Sequence, residues 1–104
     1  MSDKQPTPEQ IEKVWEWCGW EWHPAIELWK SPAPESCLGY GTLPLINLDN
    51  LFQWAVPKLI TCELRVITGM WHAHVSVGAK HTYGDNEDPA LALFWAILEV
   101  IENE

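Results

Sequence analysis

Basic residues are scarce in this chain of 104 residues: six Lys and Arg stand against fifteen Asp and Glu, a formal charge of -9 at pH 7. A field of that sign repels phosphate, so direct binding to nucleic acid by counterion release is disfavoured, while solubility and attraction to a basic protein surface are favoured. Cysteine is also sparse. Cys18, Cys37 and Cys62 are odd in number and lack a C-x-x-C spacing, so no disulfide framework is indicated, and each reads as a small buried hydrophobe. The opening M-S-D-K-Q-P-T-P carries no apolar segment of the secretory kind, which predicts a reduced, cytoplasmic protein. Long apolar runs are missing too: the longest, Ala90 to Leu98, falls well short of the roughly 20 residues a membrane span needs. Nor does the chain hold a nucleophile elbow, a phosphate-binding loop or a metalloprotease motif.

What the chain does have is apolar mass. Hydrophobic residues make up 47% of it, eight of them Trp, which is far from a disordered composition and enough for a single domain over residues 1–104. The stretch D-P-A-L-A-L-F-W-A-I-L-E-V-I, Asp88 to Ile101, is the natural centre of that domain. Asp88 can cap a helix and Pro89 suits its first position, where an N–H would have had no partner. With no polar stripe before Glu99, such a helix must be buried on more than one side.

The remaining elements follow from capping, periodicity and turn chemistry. Residues 1–6 read as a mobile leader. Thr7-Pro8-Glu9-Gln10 has the form of a capping box, so a helix should run from Pro8 to about Cys18, with Ile11, Val14, Trp15 and Cys18 on its apolar face and Gly19 as its stop. Trp20–His23 and Ile26–Trp29 alternate as strands around a break at Pro24-Ala25. Residues 31–42 have loop composition and form a long connection. Asn47 or Asp49 should cap a second helix bearing Leu48, Leu51, Phe52 and Ala55 on one face and ending near Lys58–Ile60 after Pro57. Cys62–Val66 and Trp71–Val77 alternate as a hairpin about Gly69-Met70, and the polar residues Gly78 to Glu87 lead back to the closing helix. The order α-β-β-α-β-β-α predicts an α+β fold, an antiparallel sheet of about four strands sandwiched with three helices.

Three stretches carry a resemblance: W-E-W-C-G-W (Trp15–Trp20), L-P-L-I-N-L-D-N-L-F-Q-W-A-V-P-K-L (Leu43–Leu59) and the Asp88–Ile101 segment. They resemble small uncharacterised phage and prophage proteins that look like relatives of the phage ABA-sandwich domain. The resemblance implies a phage or prophage origin and a sheet between helices. It brings no catalytic residue with it.

Several constellations could carry chemistry. His72 and His74, two apart on a strand, emerge on one face and could chelate a metal with His81 or His23 as a further ligand, although a polar strand face in water needs no metal. Asp85, Glu87 and Asp88 resemble a fragment of a calcium loop but lack its central glycine and terminal glutamate. Trp15, Trp20, Trp22 and Trp54 are expected to fill the core, whereas Trp17 lies on the polar side of the first helix and is expected to be exposed. Together with Glu9, Glu12, Glu16 and Glu21 it forms the candidate binding surface.

The expectation is a non-enzymatic, protein-binding domain with no cofactor, facing a basic host or phage protein that itself handles nucleic acid. The alternative is a small metal-dependent or thiol enzyme using His72 and His74. The central-helix reading has a direct test. Replacing Phe94 by Ala should cost about 3 to 5 kcal/mol, read as a lowered urea midpoint; a variant that unfolds with the parent would refute it.

Overall fold

The computed structural model describes residues 5–30, 40–41 and 43–103. Across them the chain is α+β, with three α-helices and two antiparallel sheets of three strands each. The elements are α1 (Pro8–Trp17), β1 (Glu21–His23), β2 (Leu28–Lys30), β3 (Tyr40–Gly41), α2 (Leu48–Trp54), a 3-10 turn (Val56–Lys58), β4 (Thr61–Ile67), β5 (Met70–Val77), β6 (Lys80–Asn86) and α3 (Pro89–Glu102). The fold class is the expected one. The strand inventory is larger, because Tyr40–Gly41 and Lys80–Asn86, both read as connections, are strands. Residues 1–4 of the expected leader, and residues 31–39 and 42 of the expected long loop, lie outside the described residues.

The capping box forms as its spacing requires: the Thr7 N–H donates to Gln10 Oε1 at 2.9 Å and the Gln10 N–H to Thr7 Oγ1 at 3.2 Å. At the other end of α1, Gly19 takes φ 110°, and the Trp20 N–H still donates to the Trp15 carbonyl at 3.0 Å. Trp20 therefore belongs to the end of the helix, and β1 starts one residue later than its alternation suggests. His23 and Glu27 close the turn into β2 through a backbone bond of 2.8 Å, with Glu27 at φ 57°. That places Ile26 in the turn and shortens β2 to Leu28–Lys30.

Asn47 is the cap of α2, accepting from the Asn50 N–H at 2.8 Å. The helix ends at Trp54, earlier than Lys58–Ile60, and the backbone tightens into the 3-10 turn. Proline disfavours α geometry in the residue before it, here Val56. So short a helix buries a narrow strip, Leu51 with Ala55 at its cap, and leaves Phe52 47% exposed instead of facing the core.

The β4–β5 turn is Thr68–Gly69, with φ 48° and 84°, and Met70 already pairs with Ile67. Positive φ at both central residues is what a two-residue turn of the primed kind demands. β6 then pairs with β5 along its length, from Val77↔Lys80 to Trp71↔Asn86. Its inward residues are Thr82, Gly84 and Asn86, all buried. Because none is a large hydrophobe, the alternation is invisible to a hydrophobic pattern.

Gly84 explains how α3 seats on this sheet. A Cβ at that position would stand 2.2 Å from the Ala92 carbonyl oxygen and 2.7 Å from the Ala96 nitrogen, both backbone atoms that cannot swing aside. Beside it, Thr82 Oγ1 donates to the Ala96 carbonyl at 2.6 Å within the buried interface. The helix starts where expected, Asp88 accepting from the Ala90 N–H at 2.8 Å. Leu93, Phe94 and Ile97 are fully buried and Leu98 is 3% exposed. Val14 and Trp15 of α1, Leu51 of α2, and Ala73 and Val75 of β5 complete the core. The opposite face of the β4–β5–β6 sheet carries Glu63, Arg65, Tyr83 and Asp85 at its surface.

Adding the methyl group at Gly84 should therefore prise helix from sheet. Gly84→Ala is expected to destabilise by about 3 kcal/mol, seen in urea or thermal unfolding. An unchanged midpoint would mean that α3 does not lie this close.

Candidate functional site

Of the predicted binding residues, Glu12 and Glu16 come together with chemistry that the sequence did not assign to them. They lie one turn apart on the exposed side of α1, while Val14 and Trp15 between them anchor the helix in the core. Facing them are Trp22 and Trp29, direct partners across the β1–β2 pair, with ring centroids 5.5 Å apart and planes tilted by 57°. These four residues line a cleft of about 210 Å³. Trp29 is 9% exposed and forms the floor, whereas Trp22 is 46% exposed and forms a wall.

This corrects two expectations about Trp. Trp22 is not core but an exposed wall of the cleft. Trp17 is not an open contact residue: it is half-buried against the core, and Lys58 Nζ rests 5.1 Å from the centroid of its ring. Glu9 is exposed in the first turn of α1 but does not line the cleft. Glu21 points from the other side of β1, where it pairs in register with Lys30 and lies 3.8 Å from His23. The tight β1–β2 turn is what places Trp22 opposite Trp29; the alternation around them was readable, but the facing of this strand pair towards α1 was not.

The cleft is smaller than the roughly 300 to 1,000 Å³ usual for a small-molecule site. Two exposed carboxylates and two indole faces suit one ammonium or guanidinium head, attracted by the carboxylates and by the negative face of the rings. Among the described residues no Lys or Arg lines it. A wider hollow of about 550 Å³, lined by Gln10, Trp95, Glu99 and Glu102 among others, lies on another side of the molecule. There Lys13 already pairs with Glu102 at 3.5 Å.

The histidines sit on the open face of the second sheet. His72 Nδ1 is 2.6 Å from Asp85 Oδ1, and His74 Nε2 is 3.1 Å from His81 Nδ1. Glu63 Oε1 stands 3.7 Å from the other nitrogen of His74. Carboxylates therefore do accompany these histidines, supplied by the neighbouring strands and not by sequence spacing. His23, the other suggested ligand, belongs to the first sheet. Among the described residues no group of three or more His, Cys, Asp and Glu is placed to hold a metal ion. Asp85 is engaged with His72 and Asp88 caps α3, so the calcium-loop fragment does not assemble.

The thiols are poorly suited to catalysis. Burial pushes Cys18 up from 9.0 to about 12, against a smaller opposing effect of Lys58. Burial, reinforced by Glu63, also raises Cys62. A thiolate is the reactive form, so both are held in the inert one. Cys37 lies outside the described residues. No protein-family model, curated protein or solved structure matches the chain. Among the described residues no helix is long and apolar enough to cross a membrane.

The raised Cys18 thiol has a consequence for stability. Below about pH 9 the thiol is protonated both folded and unfolded, and contributes no slope. Between about pH 9 and 12 only the unfolded thiol ionises, so stability is lost as pH rises through that window. Cys18→Ala removes this loss, and the advantage of the parent over the variant should shrink with rising pH above 9. A constant difference in unfolding free energy across that window would contradict it.

Proposed function

We propose that this protein is a non-enzymatic binding domain of phage or prophage type, acting in the cytoplasm, that docks a basic protein by taking one of its Lys or Arg side chains into the Glu12–Glu16–Trp22–Trp29 cleft. The single observation that carries this reading is the cleft itself, with two carboxylates and two indole faces and, among the described residues, no Lys or Arg lining it. The net charge of -9 supports it at longer range, since a field of that sign steers basic surfaces inward. The chain already uses the same chemistry internally, where Lys58 lies over Trp17. A basic protein that handles nucleic acid fits the partner best, because its phosphate-contacting surface offers the cations in number. The three stretches that resemble phage and prophage proteins support the origin.

An oligolysine peptide titrated by calorimetry tests the cleft. Binding should weaken markedly between about 50 mM and about 500 mM salt, since exposed charges are screened over that range. Trp22→Ala should raise Kd about tenfold, equivalent to about 1.4 kcal/mol, and Glu12→Gln with Glu16→Gln should do at least as much. Equal affinity at both salt concentrations, or no effect of Trp22→Ala, would defeat the proposal.

A further inference from the structure

The open face of the second sheet holds a second arrangement, separate from the cleft. His74 on β5 and His81 on β6 are diagonal neighbours: His74 pairs with Tyr83, and Ser76 with His81. Their rings lie within 14° of parallel, with His74 Nε2 and His81 Nδ1 3.1 Å apart. Such a pair shares one proton, since a donor on one ring must meet a lone pair on the other. Two imidazole nitrogens at this separation are also the bite of a chelated transition-metal ion. With metal–nitrogen bonds of about 2.0 to 2.1 Å, a 3.1 Å span subtends about 100° at the ion, inside the range of common coordination geometries. The rings now point these nitrogens at one another, so each must turn by about 40° for both lone pairs to converge on that point.

The surroundings favour the exchange of proton for metal. Glu63 Oε1 lies 3.7 Å from His74 Nδ1, on the side of the ring where an outer-sphere carboxylate stands in metal sites. Tyr83 stacks on His74 at 4.8 Å between centroids and steadies that ring. Both histidines reach solvent, with the His74 side chain 24% exposed. His72 is differently engaged, its Nδ1 bound to Asp85 at 2.6 Å.

We propose that His74 and His81 form a two-point chelating site for a divalent transition-metal ion of the imidazole-seeking kind, such as Zn²⁺ or Ni²⁺, with water in its remaining positions. The site rests on the sheet face alone and stands or falls independently of the cation cleft. Untagged protein titrated with Ni²⁺ and with Zn²⁺ by calorimetry should take up one ion per chain. His74→Gln and His81→Gln should each weaken uptake at least tenfold, while His72→Gln changes it less than threefold. These are surface replacements, and unchanged unfolding midpoints will show that the fold is retained. The proposal is overturned if neither ion binds saturably at millimolar concentration, if His72→Gln costs as much as His81→Gln, or if uptake survives in the double variant His74→Gln/His81→Gln.

Discussion

The close seating of α3 on β6 at Gly84 is the contact on which the other layers depend. Only a glycine lets the Ala92 and Ala96 backbone come so near the strand, and the approach is then held by the Thr82 hydroxyl on the Ala96 carbonyl. A buried hydroxyl without a partner would cost about 1 to 3 kcal/mol, so the bond and the close approach require one another. With α3 at this depth, its remaining apolar sides are left for α1 and α2 to cover. That is how a helix apolar nearly all round is kept from water here: the sheet takes one side, and Val14, Trp15 and Leu51 pack against others.

Placing the helices with the apolar face of the sheet leaves its other face to polar residues. Glu63 and Arg65 on β4, His72 and His74 on β5, and His81, Tyr83 and Asp85 on β6 are brought side by side by register alone. Residues that meet here across strands are seven or more apart in sequence. Because side chains alternate with period two, one inward residue such as Val75 commits its neighbours His74 and Ser76 to the outer face. The polar face is thus a by-product of core packing that acquires its own electrostatics, with acids beside each histidine of β5.

Legibility in the sequence followed the size of the signal. The caps at Thr7, Asn47 and Asp88, the core residues of α3 and the β4–β5 hairpin were readable because each rests on a local rule with strong chemistry behind it. β6 was not, since Thr82, Gly84 and Asn86 are buried for close approach and hydrogen bonding and not for hydrophobicity. The polar, glycine-containing stretch around them imitates a loop. At the candidate site, Glu12 and Glu16 were identifiable from charge and helix face, yet their aromatic companion was misassigned. Trp17 lies on the polar side of α1 and looks free, but Lys58 arrives from the turn after α2 to lie over its ring. Trp22 alternates like a core residue, but it stands on the short edge strand β1 and is left open, while Trp29 on the central strand β2 is covered.

A net charge of -9 acts over a Debye length and is indifferent to which basic surface it meets, so it can speed encounter without selecting a partner. Selection needs a short-range feature whose geometry does not relax when the partner arrives. Here both walls of the cleft are tied to the core: Val14 and Trp15 fix the rotation of α1 and so the direction of Glu12 and Glu16, while buried Trp29 fixes the strand that presents Trp22. Rigid elements lower the ordering cost of binding, which otherwise consumes much of what a few contacts supply. The same core packing that leaves Trp22 exposed therefore also holds it in place, and under the proposed binding mode a substitution that loosens Trp15 or Trp29 would weaken recognition without touching the cleft's charges.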